Sequence, residues 1–347
     1  MTALATPPAD EAMPNALDSI KRFAPAVGAL VVFIAIVVAY QWDSTQTEAV
    51  ISATVRAAAP LLLGALCGLI GERSGVVNIG IDGQMLFAAF VGFMASSYTA
   101  GAGTFVSLGL GILTGMLGAA FFGLFLGWCS ITLKMDQIIA GTVMNIFALG
   151  ITTYLYVQGR TQPFYPNWKV PGLSEIPVLG KAVFENGPLT YAALIIVVIV
   201  HVALFHTRWG LRTRAVGEHP SAADTVGINI VRLRYRNLMI AGALAGLAGM
   251  LLIQSASVFN RGMTNGKGFI ALAVMLVGRY RPFGALGAAL LLGFFTALQS
   301  QLQFKQAFDI PPQFFGMIPF VLTVGVLAVA GLSARPPAAA GKPYEKE

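Results

Sequence analysis

The sequence predicts an all-α, polytopic membrane protein of about ten transmembrane helices with an inverted repeat. Three observations carry that expectation. The chain has 347 residues, 56% of them hydrophobic and 11% charged, with a mean hydropathy of +0.74, which is more apolar surface than one soluble core can hide. Apolar runs that approach or exceed the length of a bilayer span recur along the chain. Polar, glycine-rich breaks occur twice, each after one span and before another, in opposite orientations.

Residues 1–22 are polar, acidic and proline-bearing at first and end on Lys21 and Arg22, the composition of a disordered cytoplasmic tail. The run 23–40 that follows is too long for a signal-peptide core and lacks a small-x-small cleavage site, so it reads as the first span. Further spans are expected at 50–70, 81–99, 104–130, 137–157, 189–206, 237–258, 268–279, 283–303 and 313–332, making 23–332 a transmembrane domain and 333–347 a cytoplasmic tail. Basic residues test that layout independently of hydropathy. With both termini inside, fifteen of the 22 lysines and arginines fall on the cytoplasmic side, among them Arg73, Lys134 and six arginines between His206 and Asn237. The outer side keeps Arg56, Arg160, Lys169, Lys181, Arg261, Lys267 and Lys305. The net charge of +7 is therefore topology, not a nucleic-acid surface. Cys67 and Cys129 both sit in apolar runs without metal-site or disulfide spacing.

The first break is GERSGVVNIGIDGQM, residues 71–85, where Asn78, Asp82 and Gln84 interrupt the apolar pattern. The expectation is an unwound turn at the inner mouth of a pathway, with those side chains facing water or a partner, and with Glu72 and Arg73 paired to each other or holding a neighbouring helix. The second break carries Asn260, Gly262, Thr264, Asn265, Gly266 and Gly268 and is placed on the outer side. Irregular backbone at membrane depth survives where it is buried in protein or lines a watery cavity, which makes such paired breaks pointers to a central pathway. The spans further offer Thr142, Asn145, Thr152, Thr153, Tyr154, Gln254, Ser255, Ser257, Gln299, Ser300 and Gln301, of which Asn145 and Gln254 join Asn78, Asp82 and Gln84 as pathway candidates, and polar residues in spans serve as interhelical glue at least as often as they touch cargo.

Enzyme signatures are missing: there is no HExxH, no GxSxG and no DDxxD, and GMTNGKG lacks the spacing of a phosphate-binding loop. An ion-coupled carrier would place carboxylates near mid-membrane, whereas Glu72, Asp82 and Asp136 read as span ends; sodium bound by backbone carbonyls keeps that alternative open. In GEHPSAADTVG, Pro220 suits a first helical turn, Ser221, Ala222, Ala223 and Asp224 continue it, and Gly227 closes it. Small alanines would let this short helix lie close in a partner's groove.

The phrases GERSGVVNIGIDGQMLFAAFVG, RAVGEHPSAADTVGINIVRLR and GMTNGKGFIALAVMLVGRYRPFGALGAALLLGFFTALQ resemble the permease subunits of bacterial ABC importers, in the branch of nucleoside and simple-sugar permeases related to ribose and branched-chain amino acid permeases. The resemblance runs from about residue 50 to 332. It implies about ten spans in the bacterial inner membrane and no cofactor in this chain, ATP and magnesium being held by a cytoplasmic ABC ATPase. It also implies a second permease, a heterodimer being favoured, and an extracytoplasmic solute-binding protein. By the same resemblance Glu218, His219, Pro220, Ser221, Ala222, Ala223, Asp224 and Gly227 form the ATPase-coupling element. Nucleosides are the favoured cargo and a simple sugar the alternative, since the composition permits both.

Overall fold

The computed structural model describes residues 44–176, 180–305, 311–330 and 335–345. The expected first span at 23–40 and the tail before it lie outside these residues. Helix α1 (Ser44–Arg73) is buried on every side from Ala58 to Glu72, which is why its sequence is apolar around its whole circumference with no amphipathic stripe. The chain then turns at Ser74–Gly80 and climbs back along α1. Helix α2 (Ile81–Tyr98) starts beside Gly64 and Gly68, because a Cβ on Gly68 would lie 3.3 Å from Ile81 Cδ1. That start is five residues, or roughly 8 Å, short of the end of α1. The break therefore ends at Gly80, and Ile81–Gln84, expected to be unwound, form the first turn of α2.

Helix α3 (Thr104–Gly127) continues through a π turn at Trp128–Thr132, and Asp136 opens α4 (Gln137–Leu155) by accepting the amides of Ile138 and Ile139 at 2.8 and 3.0 Å. Between α4 and the next long helix, strands β1 (Trp168–Lys169) and β2 (Glu185–Asn186) pair antiparallel around a short helix, α5 (Gly180–Phe184). Pro188 starts α6 (Pro188–His206), followed by α7 (Arg208–Glu218), α8 (Pro220–Thr225) and α9 (Ile230–Ala256). Helix α9 begins seven residues before the expected 237, capped by Asn229, whose side chain accepts the Arg232 amide at 2.9 Å. Its glycines face the backbones of α2 and α3. A Cβ on Gly242, Gly246 or Gly249 would lie 2.4 Å from Ala119 O, 2.6 Å from Met116 Cα or 2.2 Å from Met85 O.

Helix α10 (Lys267–Val277) has 11 residues, about 16 Å, so the run expected to span at 268–279 covers only half of a hydrocarbon core of ~30 Å. It runs parallel to α1 in constant register. The Gly64 position meets Ala271, Gly68 meets Met275, and Arg73 donates to the Tyr280 carbonyl at 3.0 Å. Helices α11 (Pro282–Lys305) and α12 (Pro312–Ala330) complete the bundle. Among the described residues six helices are long and apolar enough to cross a membrane, while Lys267–Val277 and Phe314–Ala328 are shorter apolar helices.

From Val50 onward the chain forms one compact unit, and residues 335–345 pack into it. Arg73, Arg214, Arg234 and the Gly278–Arg281 turn gather with this segment at one end, called here the basic end.

Candidate functional site

The two breaks meet. Asp82, in the first turn of α2, accepts the Gly268 amide on Oδ1 at 2.8 Å and the Thr264 hydroxyl on Oδ2 at 2.9 Å. Its carboxylate thereby sits on the amino-terminal turn of α10, where unpaired amides and the helix dipole favour negative charge. A Cβ on Gly268 would lie 2.3 Å from Asp82 N, so only glycine allows the approach. The second break, expected in an outer loop, is thus folded back to the level of Asp82. Positive φ at Gly262, Asn265 and Gly266 makes that return possible (65°, 43° and 74°).

Around this junction Asn145 and Gln137 serve backbone, while other polar residues bond one another. Asn145 accepts the Gly83 amide at 2.7 Å and donates to the Ile79 carbonyl at 3.0 Å, clipping the turn shut. Gln137 accepts the Val77 amide at 2.7 Å. Asn78 and Gln84, expected to face water, are wholly buried and bonded to each other at 3.0 Å beside Cys67. Gln254 holds the opening turn of α6, accepting from Leu189 N and donating to Thr190 Oγ1 at 3.3 Å each. Glu72 accepts from the Tyr280 hydroxyl at 2.8 Å, so Glu72 and Arg73 together fasten the Gly278–Arg281 turn.

A cavity of about 500 Å³ opens next to the junction, between α1, the end of α9, the second break, α11 and α12. Its polar walls are Arg56, Ser255, Asn260, Asn265, Lys267, Thr296 and Gln299, its aromatic wall is Phe320, and among the described residues no carboxylate lines it. Ser255 and Gln299 are the polar span residues singled out from the sequence that reach it. Arg56, Lys267 and Phe320 were not recognisable as cavity walls, because nothing local signals that three distant helices converge.

At the basic end α8 has the expected form. Pro220 occupies its first turn, and Gly227 closes it at φ 81°, with Gly227 N on Asp224 O at 2.9 Å and Ile228 N on Ala223 O at 3.1 Å. Ala223, expected to seat in a partner, is instead 3% exposed and packs with Val216 and Ile230. The outward residues are Glu218, His219, Ser221, Ala222, Thr225 and Val226. Arg234, one of the six arginines read from the sequence as cytoplasmic topology markers, is 2% exposed and donates Nε–H to the Ser74 carbonyl at 3.0 Å.

Residues 50–327 match the family described as branched-chain amino acid transport system / permease component. The guanosine ABC transporter permease protein NupQ of Bacillus subtilis is 38% identical over 312 residues, covering 86% of this chain and 96% of the relative. The nucleoside ABC transporter permease protein NupC of Lactococcus lactis is 37% identical, over 83% of this chain and 93% of its own. The glucose ABC transporter permease protein TsgB13 of Haloferax volcanii is 28% identical, over 64% and 62%.

Proposed function

The chain belongs to the branched-chain amino acid transport system permease family, and from that premise we propose that it is one permease subunit of an ATP-driven nucleoside importer. The similarity to nucleoside permeases over nearly their whole length carries the cargo reading. The cavity suits it: amides, hydroxyls, two cations and an aromatic ring match the carbonyls, hydroxyls and flat base of a nucleoside. A sugar is the second reading, favoured by the likeness to the glucose permease protein.

The pathway of this subunit follows the cavity and passes the junction, where Asp82, Asn145 and Gln254 fix the surrounding backbone and Asn78 and Gln84 pair with each other in the packing behind it. The topology is ten spans in two inverted halves, with both termini and the basic end in the bacterial cytoplasm. The cavity walls of one chain supply half a pathway, so a second permease of related sequence supplies the other half. The remaining partners are a cytoplasmic ABC ATPase, which holds ATP and magnesium, and an extracytoplasmic receptor. The α8 element, residues 218–227, is the ATPase contact.

Reconstitution of the chain with its ATPase, companion permease and receptor in proteoliposomes tests this. ATP-dependent accumulation of guanosine in preference to glucose is expected, from a complex whose native mass contains two different permeases. Accumulation of glucose alone would reverse the cargo, and two copies of this chain without a second permease would exclude the heterodimer.

Ala222→Glu is expected to weaken ATPase association or stimulated hydrolysis while leaving insertion normal, because Ala222 points outward. Gly227→Val should act on the same readouts through backbone strain, of about 1–2 kcal/mol or more at a β-branched residue held at positive φ. Parental hydrolysis and uptake in both variants would remove α8 from the contact.

A further inference from the structure

We infer that the carboxyl-terminal segment 337–345 positions the coupling helix α8 against the turn 74–80 that leads into Asp82, so that ATPase closure reaches the pathway only while this strap is in place. The inference rests on the permease reading above.

The segment is anchored at both ends of its course. Ala339 is 6% exposed, and its amide donates to the Gly217 carbonyl at 2.9 Å, while the Ala338 amide reaches Glu218 Oε2 at 3.3 Å. Gly217 and Glu218 are the last residues of α7, immediately before α8. Further along, Tyr344 packs on the Val216, Ala223 and Ile230 cluster, so the inward face of α8 is covered by the strap as well as by its neighbours. Glu345 then pairs with Lys134 at 2.5 Å, tying the end of the strap to the loop between α3 and α4.

The other side of the strap lies on the first break. A Cβ on Gly75 would be 2.6 Å from Arg234 Nη2 and 3.3 Å from the Ala339 carbonyl oxygen, and a Cβ on Gly341 would be 3.8 Å from Val77 Cγ2. Gly75 and Val77 lead within a few residues to Asn78 and Asp82. A Cβ on Gly217 would itself lie 2.3 Å from the Arg73 carbonyl oxygen, so the end of α7 already meets the turn directly, and the strap braces that contact from the side by holding Gly217, Gly75 and Val77 at once. Packed elements of this kind move as a unit, because a close-packed contact transmits displacement instead of absorbing it. Ala338, Ala339, Gly341 and Tyr344 act through other residues and touch no cargo; they are positioning residues.

The test uses the complete reconstituted complex and compares the parent with a chain ending at Pro336, with Tyr344→Ala and with Tyr344→Phe. Assembly is read by native mass, ATP hydrolysis is read with receptor present, and guanosine uptake is expressed per ATP hydrolysed. A merely structural role would lower the yield of complex and leave uptake per ATP unchanged in what assembles. The positioning role predicts an assembled, hydrolysing complex whose uptake per ATP falls about fivefold or more in the truncated chain and in Tyr344→Ala, with at least partial recovery in Tyr344→Phe, which keeps the ring on the Val216, Ala223 and Ile230 cluster. If the truncated chain does not assemble, Tyr344→Ala decides alone. Parental uptake per ATP in the assembled variants overturns the inference and leaves the permease reading standing. A parental complex that moves no solute overturns both.

Discussion

Asp82→Ala is expected to abolish uptake while the chain still inserts in the membrane. The substitution leaves the Gly268 amide and the Thr264 hydroxyl, both buried, without their acceptor. Each orphaned group costs about 1–3 kcal/mol. The amino terminus of α10 also loses the negative charge beside it, worth about 0.3–1 kcal/mol and up to ~2 where partly buried. Together these effects are large enough to free α10 from α2, and with it the wall of the cavity that carries Lys267. Asp82→Asn keeps one acceptor and should retain part of the activity, so the pair of variants separates charge from hydrogen bonding. Uptake per assembled complex, with melting temperature in detergent measured alongside, gives the answer. Parental values for Asp82→Ala would show that the junction is not what holds the two breaks together.

The second large effect is expected at Gly246, where α9 crosses α3. Its Cβ position lies 2.6 Å from Met116 Cα and 2.8 Å from Gly115 O, both backbone atoms that no rotamer change can move. Gly246→Leu therefore has to push two helices apart, and overpacking of this kind costs on the order of 3 kcal/mol or more out of a total stability of roughly 5–15. Gly242 and Gly249 make the same approach on the same helix, so separation at one site loosens all three. The expected result is little folded protein. Gly150→Leu on α4 is the control, because nothing lies within 4 Å of that position and a larger apolar side chain there meets no other part of this chain. Equal yields from the two variants would mean that α9 is not packed backbone to backbone.

Much of this architecture was readable from apolar runs. Those at 104–130, 137–157 and 189–206 became Thr104–Thr132, Gln137–Leu155 and Pro188–His206, with Pro188 marking its own helix start. Proline and glycine punctuation also located α8, its start at Pro220 and its closure at Gly227, since both act through local backbone geometry that the sequence states outright. Depth was not readable. Hydropathy gave 268–279 as a span because those residues are apolar, and it carries no information that the ten residues before them re-enter the bundle. The face of α8 was hidden for a related reason: a helix of 6 residues has too few turns for its periodicity to show that Ala223 is inside and Ala222 outside. Counting cations treated Arg234 as one more surface charge, whereas its guanidinium is committed to the Ser74 carbonyl 160 positions away. The cavity was the least readable feature, because its walls come from five separate stretches of chain and none of them has a motif.

The join at Asp82 has a consequence for how the protein is made. Its partner Gly268 lies 186 residues further along the chain. At a synthesis rate of about 5–20 residues per second, roughly ten to forty seconds pass between the appearance of the carboxylate and that of the amide that receives it. During that interval the amino-terminal half of the molecule carries a carboxylate at the start of α2 whose Gly268 and Thr264 donors do not yet exist, and Asn145, bonded to the Gly83 amide and the Ile79 carbonyl, is the group already at hand to hold the turn. The early helices are therefore a waiting half, complete in secondary structure and unfinished at their centre until translation delivers the second break.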